Sequence, residues 1–248
     1  MAYMSTSNLG DFGVIDLNTG VFSKLGNSGQ TLAGLGVATG ALYGTSQGNV
    51  YTMNQTNGAL TQVGTTTTFT YEDFGSTTTG LFAVDSNANL YSINPATGAP
   101  SLIGSTGISN IGATFGGLST NAGSLYLTSA DQLYTLNTST GAATLIGPTG
   151  NFEIAALVEE GGVLYGGGNP VGGNSPFAVY TVNPTTGAAT FVANVSGTGD
   201  LNFFGLAPDP LPVPAPPIGH GLPVALAVGG VLLGAKFFER SREPRSPA

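Results

Sequence analysis

The chain has 248 residues, of which 7% are charged and none is cysteine, and its formal net charge is −8. Residues 1–210 contain eleven acidic side chains and a single basic one, Lys24, so this part of the chain repels phosphate backbones and argues against a nucleic-acid partner. The lack of cysteine excludes disulfides, thiolate metal sites and thiol nucleophiles.

A hairpin-like phrase recurs five times along the chain. Its copies are VIDLNTGVFSKLG from Val14, YTMNQTNGALTQVG from Tyr51, YSINPATGAPSLIG from Tyr91, YTLNTSTGAATLIG from Tyr134 and YTVNPTTGAATFVA from Tyr180. Each copy alternates apolar and polar residues, turns at a glycine, and alternates again, which predicts a β-hairpin. The turn glycines suit a left-handed backbone conformation that other residues adopt only at a cost in free energy.

Two further strands are predicted between successive hairpins. One resembles GALYGTS from Gly40 in each repeat, and the strand before it has the spacing apolar-x-x-apolar. The apolar pairs are Leu32/Leu35, Tyr71/Phe74, Phe115/Leu118, Ile154/Leu157 and Phe203/Leu206. Four strands in each repeat of about 40 residues are typical of a blade of a β-propeller.

The two ends of the repeat region complement each other. The chain begins at the second strand of a repeat, whereas the segment Leu201 to Asp209 is a first strand with no repeat after it. We therefore predict an all-β fold, a five-bladed β-propeller over residues 1–209 that is closed by its termini. The alternatives are a β-sandwich or an open array of hairpins.

The composition changes after Asp209. Residues 210–221 form a proline-rich segment that predicts an extended linker. Residues 222–238 are largely apolar and predict a transmembrane helix, and residues 239–248 form a basic tail expected on the cytoplasmic side. The basic residues that would stop transfer through the membrane are Lys236, Arg240, Arg242 and Arg245.

This tail resembles the PEP-CTERM sorting signals, which combine a proline motif, a short apolar helix and an arginine-rich end. The motif residues here are Val213, Pro214, Ala215 and Pro216, a variant without the central glutamate. Similar tails are also labelled ice-binding protein C-terminal domains. The resemblance covers residues 211–248 and implies an exported bacterial protein whose tail is cut by an exosortase-type membrane protease. A permanent membrane anchor is the alternative.

Residues 1–13 lack the basic start and apolar core of a signal peptide. Because the tail implies export, we expect the true start of the protein to lie upstream of Met1.

The repeat region contains no nucleotide-binding, hydrolase or zinc-protease motif, and no cofactor is expected. Asp85-x-Asn87-x-Asn89 resembles the start of a calcium loop but lacks its glycine and glutamate, so a turn between strands is the better interpretation.

Four carboxylates are candidates for a site in the central channel. Glu72 and Asp73 lie in a predicted inner strand where the other repeats carry small or apolar residues, and Glu153 and Asp200 lie near the entries of two others. They could bind a cation or polar ligand, serve a glycosidase-like enzyme, or simply be solvated. The sequence favours a non-enzymatic surface or matrix protein that has a structural or recognition role, with polysaccharide or a surface protein as its possible partner.

Overall fold

The computed structural model describes residues 1–7, 10–77, 80–109, 116–170, 177–199 and 203–209. Within these residues the regular structure is β-strand throughout, with no helix. The twenty strands are β1 (Ala2–Thr6), β2 (Asp11–Ile15), β3 (Phe22–Asn27), β4 (Gly34–Ala38), β5 (Ala41–Ser46), β6 (Asn49–Met53), β7 (Leu60–Val63), β8 (Tyr71–Thr77), β9 (Gly80–Asp85), β10 (Asn89–Ile93), β11 (Pro100–Ser105), β12 (Gly116–Asn121), β13 (Ser124–Ser129), β14 (Gln132–Leu136), β15 (Ala143–Pro148), β16 (Phe152–Glu160), β17 (Val163–Pro170), β18 (Ala178–Val182), β19 (Ala189–Asn194) and β20 (Phe203–Pro208).

These strands form five antiparallel sheets of four strands each. Sheet 1 has the order β20-β1-β2-β3, and sheets 2 to 5 contain β4–β7, β8–β11, β12–β15 and β16–β19 in chain order. The innermost strands β4, β8, β12, β16 and β20 contact one another in a closed cycle. The fold is therefore a five-bladed β-propeller, which confirms the architecture predicted from the repeats.

Sheet 1 closes the ring by joining the two ends of the repeat region. Strand β20 pairs with β1 in antiparallel register, with Ala2 opposite Pro208 and Met4 opposite Leu206. At the outer edge the Phe22 amide donates a 2.8 Å hydrogen bond to the Ser196 carbonyl, which connects sheet 1 to the residues that follow sheet 5. The closure predicted for Leu201 to Asp209 is confirmed.

The apolar core is divided into five clusters, and each cluster fills the space between two neighbouring sheets. Between sheets 4 and 5, for example, Tyr126 and Leu133 pack with Ile154, Leu157 and other residues of sheet 5. A single sheet buries its apolar faces only against its neighbours, so the stability of each blade depends on the ring.

The recurring hairpin turn explains the repeated phrase. In the turn of sheet 4 the Gly141 amide donates a 2.8 Å hydrogen bond to the Asn137 carbonyl, and the Asn137 side chain accepts one from the Ser139 amide at 2.9 Å. Gly141 has a φ of 84°, so its conformation is left-handed as predicted. The glycine also lies against sheet 3, because a Cβ at this position would approach the Gly104 carbonyl oxygen to 2.5 Å. The turn therefore shapes the hairpin and lets adjacent sheets pack closely.

A compact unit spans Met1–Pro210. The predicted linker, transmembrane helix and basic tail lie outside the described residues, as do the motif residues Val213 to Pro216 and the four basic residues named above. Among the segments that the structure describes, no helix is long and apolar enough to cross a membrane.

Candidate functional site: a cleft between sheets 2 and 3

A cleft of about 430 Å³ opens between sheets 2 and 3, at the end of the ring where the inner strands begin. Its walls come from the β3–β4 connection, from the β5–β6 turn and from the start of β8. The lining residues are Gln30, Thr31, Ala33, Ser46, Gln47, Thr70, Tyr71 and Glu72. Five of these eight residues carry an uncharged amide or an aliphatic hydroxyl, and one carries a carboxylate.

The wall from sheet 2 is held in place by local hydrogen bonds. The Thr31 hydroxyl donates to the Ser7 carbonyl at 2.6 Å, and the Ser28 hydroxyl donates to the Gln30 carbonyl at 2.7 Å. The β5–β6 turn places Gln47 at a φ of 48° and Gly48 at 79°, which is the conformation of a tight two-residue hairpin turn. Because these contacts fix the backbone, the polar wall is formed before any ligand arrives.

Glu72 reaches the cleft through a β-bulge. Tyr71 pairs with Asp85 and Asp73 pairs with Val84, so Glu72 is an extra residue in β8 without a partner in β9. Bulges at the corresponding positions of β16 and β20 hold Ala155 and Phe204. Such bulges redirect a side chain, and within these three Glu72 alone carries a charge.

The surroundings of Glu72 disfavour its charged form. Partial burial raises the pKa of the Glu72 carboxyl, and the nearby Asp85 carboxylate raises it further. The one basic side chain in the described part of the chain, Lys24, pairs with another acid and lies 2.6 Å from Asp11. Glu72 is therefore a half-buried carboxylate that no basic side chain of the described chain neutralises.

Both oxygens of the Asp85 carboxylate accept hydrogen bonds at the β9–β10 turn. One of its oxygens accepts hydrogen bonds from the Asn87 and Asn89 amides at 3.0 and 2.8 Å. The other accepts from the Asn89 side chain at 3.1 Å and the Tyr91 hydroxyl at 3.0 Å. With four donors from its own chain, Asp85 acts as a turn residue, as the sequence indicated.

In the described part of the chain, no three His, Cys, Asp or Glu side chains are placed to hold a metal ion.

Asp73 lies in the core and not in the cleft. Its side chain is 3% exposed, and its Oδ1 accepts a 2.8 Å hydrogen bond from the Phe74 amide. Its Oδ2 is buried and has no hydrogen-bond partner among the described residues. Burial raises the pKa of Asp73 well above its ordinary value, and the Glu72 charge adds to this, whereas the Phe74 and Leu118 amides oppose it. The environment therefore favours the protonated acid.

The internal repeats show what Asp73 replaces. At its position sheets 1, 2 and 4 carry glycine, and the residue opposite each glycine is Ser5, Thr45 or Thr128. Sheet 3 has the reverse arrangement, with the polar Asp73 on the inner strand and the apolar Val84 opposite. In sheet 3 the buried polar side chain of this pair therefore lies on the first strand, whereas in sheets 1, 2 and 4 it lies on the second.

The structure does not gather the four candidate carboxylates in the cleft. Glu72 lines it and Asp73 is buried beside it, whereas Glu153 lies half-buried in β16 of sheet 5, opposite Asn169. Asp200 lies outside the described residues. The sequence did not single out Gln30, Thr31, Ser46 or Gln47, because loop residues of these types are common and only the packing of two sheets brings them together.

A second cleft of about 370 Å³ lies between the same two sheets at the opposite end. Its walls are more apolar and include Val37, Leu81, Phe82, Ile93 and Pro95. None of the described residues that line it carries a carboxylate. The cleft at Glu72 is therefore the stronger candidate for a specific polar site.

No protein-family model matches the sequence, and no curated protein matches it. Among solved structures, a Bacteroides thetaiotaomicron protein of unknown function is similar, with a TM-score of 0.55 at 16% identity over 75% of this chain. The match covers 56% of that protein, so this chain spans little more than half of its length. A nidogen/laminin complex structure is also similar, with a TM-score of 0.54 at 11% identity over 83% of this chain and 96% of that one. At these identities the likeness shows the fold alone.

Proposed function

We propose that this chain is an exported cell-surface or matrix protein whose propeller is a recognition module that binds a polar ligand in the cleft between sheets 2 and 3. The observation that carries the proposal is the composition of the cleft, in which neutral amides and hydroxyls surround one half-buried carboxylate. Such a surface complements a hydroxyl-rich ligand such as a polysaccharide through directed hydrogen bonds.

The test of recognition is binding of the full chain to polysaccharide isolated from the surface of the native host. Thr70 lines the cleft and is exposed, so Thr70→Trp fills the cleft without disturbing the core. Ser101→Trp places the same bulk on exposed β11 and serves as the control. We expect Thr70→Trp to abolish binding and Ser101→Trp to preserve it. Equal binding by both variants would reject the cleft as the site.

We further propose that the tail is a sorting signal. In this proposal residues 222–238 hold the exported protein in the membrane, and an exosortase-type protease cuts near Val213 to Pro216. Support comes from the order of the proline-rich segment, the apolar segment and the basic end. The intact mass of the protein from host cells and medium tests this: release of a species that ends near Ala215 is expected. A mass ending at Ala248, found only in membranes, would indicate a permanent anchor.

We do not propose an enzymatic activity. Glycoside hydrolysis commonly uses two carboxyl groups about 5–10 Å apart that flank the bond to be cut. Glu72 is the one carboxylate among the residues that line the described cleft, and the neighbouring Asp73 is enclosed in the core. The arrangement suits binding better than acid–base chemistry.

A further inference from the structure

We infer that the cleft between sheets 2 and 3 recognises a cationic amino sugar, whose protonated amine pairs with Glu72 while its hydroxyl groups bond to the surrounding amides and hydroxyls. This inference rests on the proposed function, since it assumes that the cleft is a recognition site. It adds the chemical class of the ligand.

The first argument is the position of Glu72. The bulge in β8 projects an extra residue at the cleft wall, where the corresponding bulges of the other sheets carry Ala155 and Phe204. In sheet 5 the small side chain of Ala155 is buried at this point, so the packing of the ring does not need a charged residue there. The carboxylate therefore serves the cleft and is not required by the fold.

The second argument is charge. A partly desolvated carboxylate is stabilised by an opposite charge, and the described side chains offer Glu72 none, since Lys24 pairs with Asp11. The Asp85 carboxylate adds to the negative potential at the cleft. The ligand itself is then the natural source of a cation.

The third argument distinguishes an amine from other ligands. A divalent cation in a protein is commonly held by a cluster of oxygen ligands that includes several carboxylates, and the described residues contain no group of three His, Cys, Asp or Glu side chains placed to hold one. An anionic glycan would be repelled, and a neutral sugar would bury Glu72 further without a counter-charge. An ammonium group supplies both the charge and up to three hydrogen-bond donors.

The fourth argument is the remainder of the wall. The cleft volume of about 430 Å³ falls within the usual range for small-molecule sites, about 300–1,000 Å³. The exposed amides of Gln30 and Gln47 donate and accept hydrogen bonds, and the exposed side chains of Thr31 and Thr70 add hydroxyl groups for a polyol. Tyr71 is only 1% exposed, so its ring offers no stacking surface. Recognition therefore depends on hydrogen bonds and the ion pair, and it should weaken as salt is added.

The test compares glucosamine oligomers with N-acetylglucosamine oligomers of equal length, titrated into the full chain by calorimetry. The two ligands share their ring hydroxyls and differ at one substituent, which is an ammonium group in glucosamine and a neutral acetamide in N-acetylglucosamine. We expect the glucosamine oligomer to bind about tenfold tighter or more, as a charge-assisted hydrogen bond permits. Glu72→Gln should remove this preference, and raising the salt concentration should reduce it.

The matched control is Glu153→Gln, which makes the same change of charge at a half-buried carboxylate in sheet 5. The melting temperatures of both variants verify that they are folded. Equal losses in the two variants would mean that diffuse negative charge attracts the amine, and this would overturn the inference. So would equal binding of the two oligomers.

The outcomes also separate this inference from the proposed function. If host polysaccharide binds and Thr70→Trp blocks it, while glucosamine oligomers do not bind, the cleft is a recognition site for another ligand and the inference is wrong. If Thr70→Trp has no effect on host polysaccharide binding, the proposed function itself fails.

Discussion

Thr128 in sheet 4 donates a 2.8 Å hydrogen bond to the backbone carbonyl of Ile154 in sheet 5. The same hydroxyl accepts a 2.8 Å hydrogen bond from the Gly117 amide of its own sheet. Thr128 is fully buried, so neither backbone group has access to water. One side chain therefore joins the inner strands of two neighbouring blades.

We predict that Thr128→Val destabilises the fold by about 2–4 kcal/mol, because it keeps the shape of the side chain but leaves a buried amide and a buried carbonyl unpaired. The matched control is Thr45→Val at the corresponding position of sheet 2, where the buried hydroxyl has no hydrogen-bond partner among the described residues. This control should be neutral or stabilising, and sheet 3 already carries valine there as Val84. Urea unfolding measures both; equal losses would refute the assigned role of Thr128.

The second prediction concerns pH and Asp73. Because burial raises the pKa of Asp73 in the folded chain above the value of about 3.9 in the unfolded chain, folding favours uptake of a proton. This contribution to stability is fully present below about pH 3.9, the unfolded pKa, and is lost as the pH rises through the folded pKa. Two other carboxyl groups lie near Asp73. The pKa of Glu72 is also raised, and Asp85 accepts hydrogen bonds within the β9–β10 turn.

Asp73→Asn should therefore flatten the fall in unfolding free energy between acidic and neutral pH. Thermal unfolding at a series of pH values measures this change. The matched control is Asp131→Asn, which makes the same change at a less buried carboxylate, and equal flattening in the two variants would mean that the burial of Asp73 is not the cause. An unchanged profile in Asp73→Asn would show that folding does not raise the pKa of Asp73.

The third prediction separates the two roles of the turn glycines. Gly141→Ala and Gly123→Ala both place a side chain on a left-handed residue, since the φ angles are 84° and 83°. This strain alone costs about 1–2 kcal/mol. A Cβ at Gly141 would also lie 2.5 Å from the Gly104 carbonyl oxygen, whereas nothing lies within 4 Å at Gly123. Gly141→Ala should therefore cost at least about 1 kcal/mol more by denaturant unfolding. Equal losses of unfolding free energy in the two variants would mean that sheets 3 and 4 can move apart at this turn at little cost.

The fourth prediction tests ring closure. A chain that ends at Asn202 lacks β20, so the inner edge of β1 loses its hydrogen-bonded partner and sheets 2 and 5 lose their shared neighbour. We expect this chain to lack cooperative unfolding by calorimetry. A chain that ends at Asp209 keeps β20 and should melt as one unit near the temperature of the full chain. Cooperative melting of the shorter chain would show that the fold does not need β20 to close the ring.

Much of the fold was predictable because its information is local and repeated. The alternation around Gly141 and its equivalents predicts hairpins, and the repeat of about 40 residues with complementary ends predicts both the number of blades and the closing strand. The turn at Asp85 could also be predicted, since its Asx side chains bond to the nearby backbone.

The candidate site was less predictable because it depends on contacts between sheets. The sequence singled out Glu72 and Asp73 together, but the bulge sends the first into a cleft while the second is enclosed against sheet 4. One signal was available, since Val84 stands where sheets 2 and 4 have Thr45 and Thr128. In sheet 3 an acid replaces the glycine of the inner strand, and an apolar residue replaces the hydroxyl residue opposite it. The two changes together indicate that Asp73 takes the place of the buried hydroxyl, which is a structural role.

The pairing of β1 with β20 also sets the order in which the protein can be completed during synthesis. Strand β1 is made among the first residues of the described chain and its partner among the last, so sheets 2 to 5 can assemble while sheet 1 still lacks its inner strand. During that interval the amides and carbonyls on one side of β1 are exposed to pairing with other chains. This edge of β1 therefore remains open to mispairing until the last strand of the ring has been made.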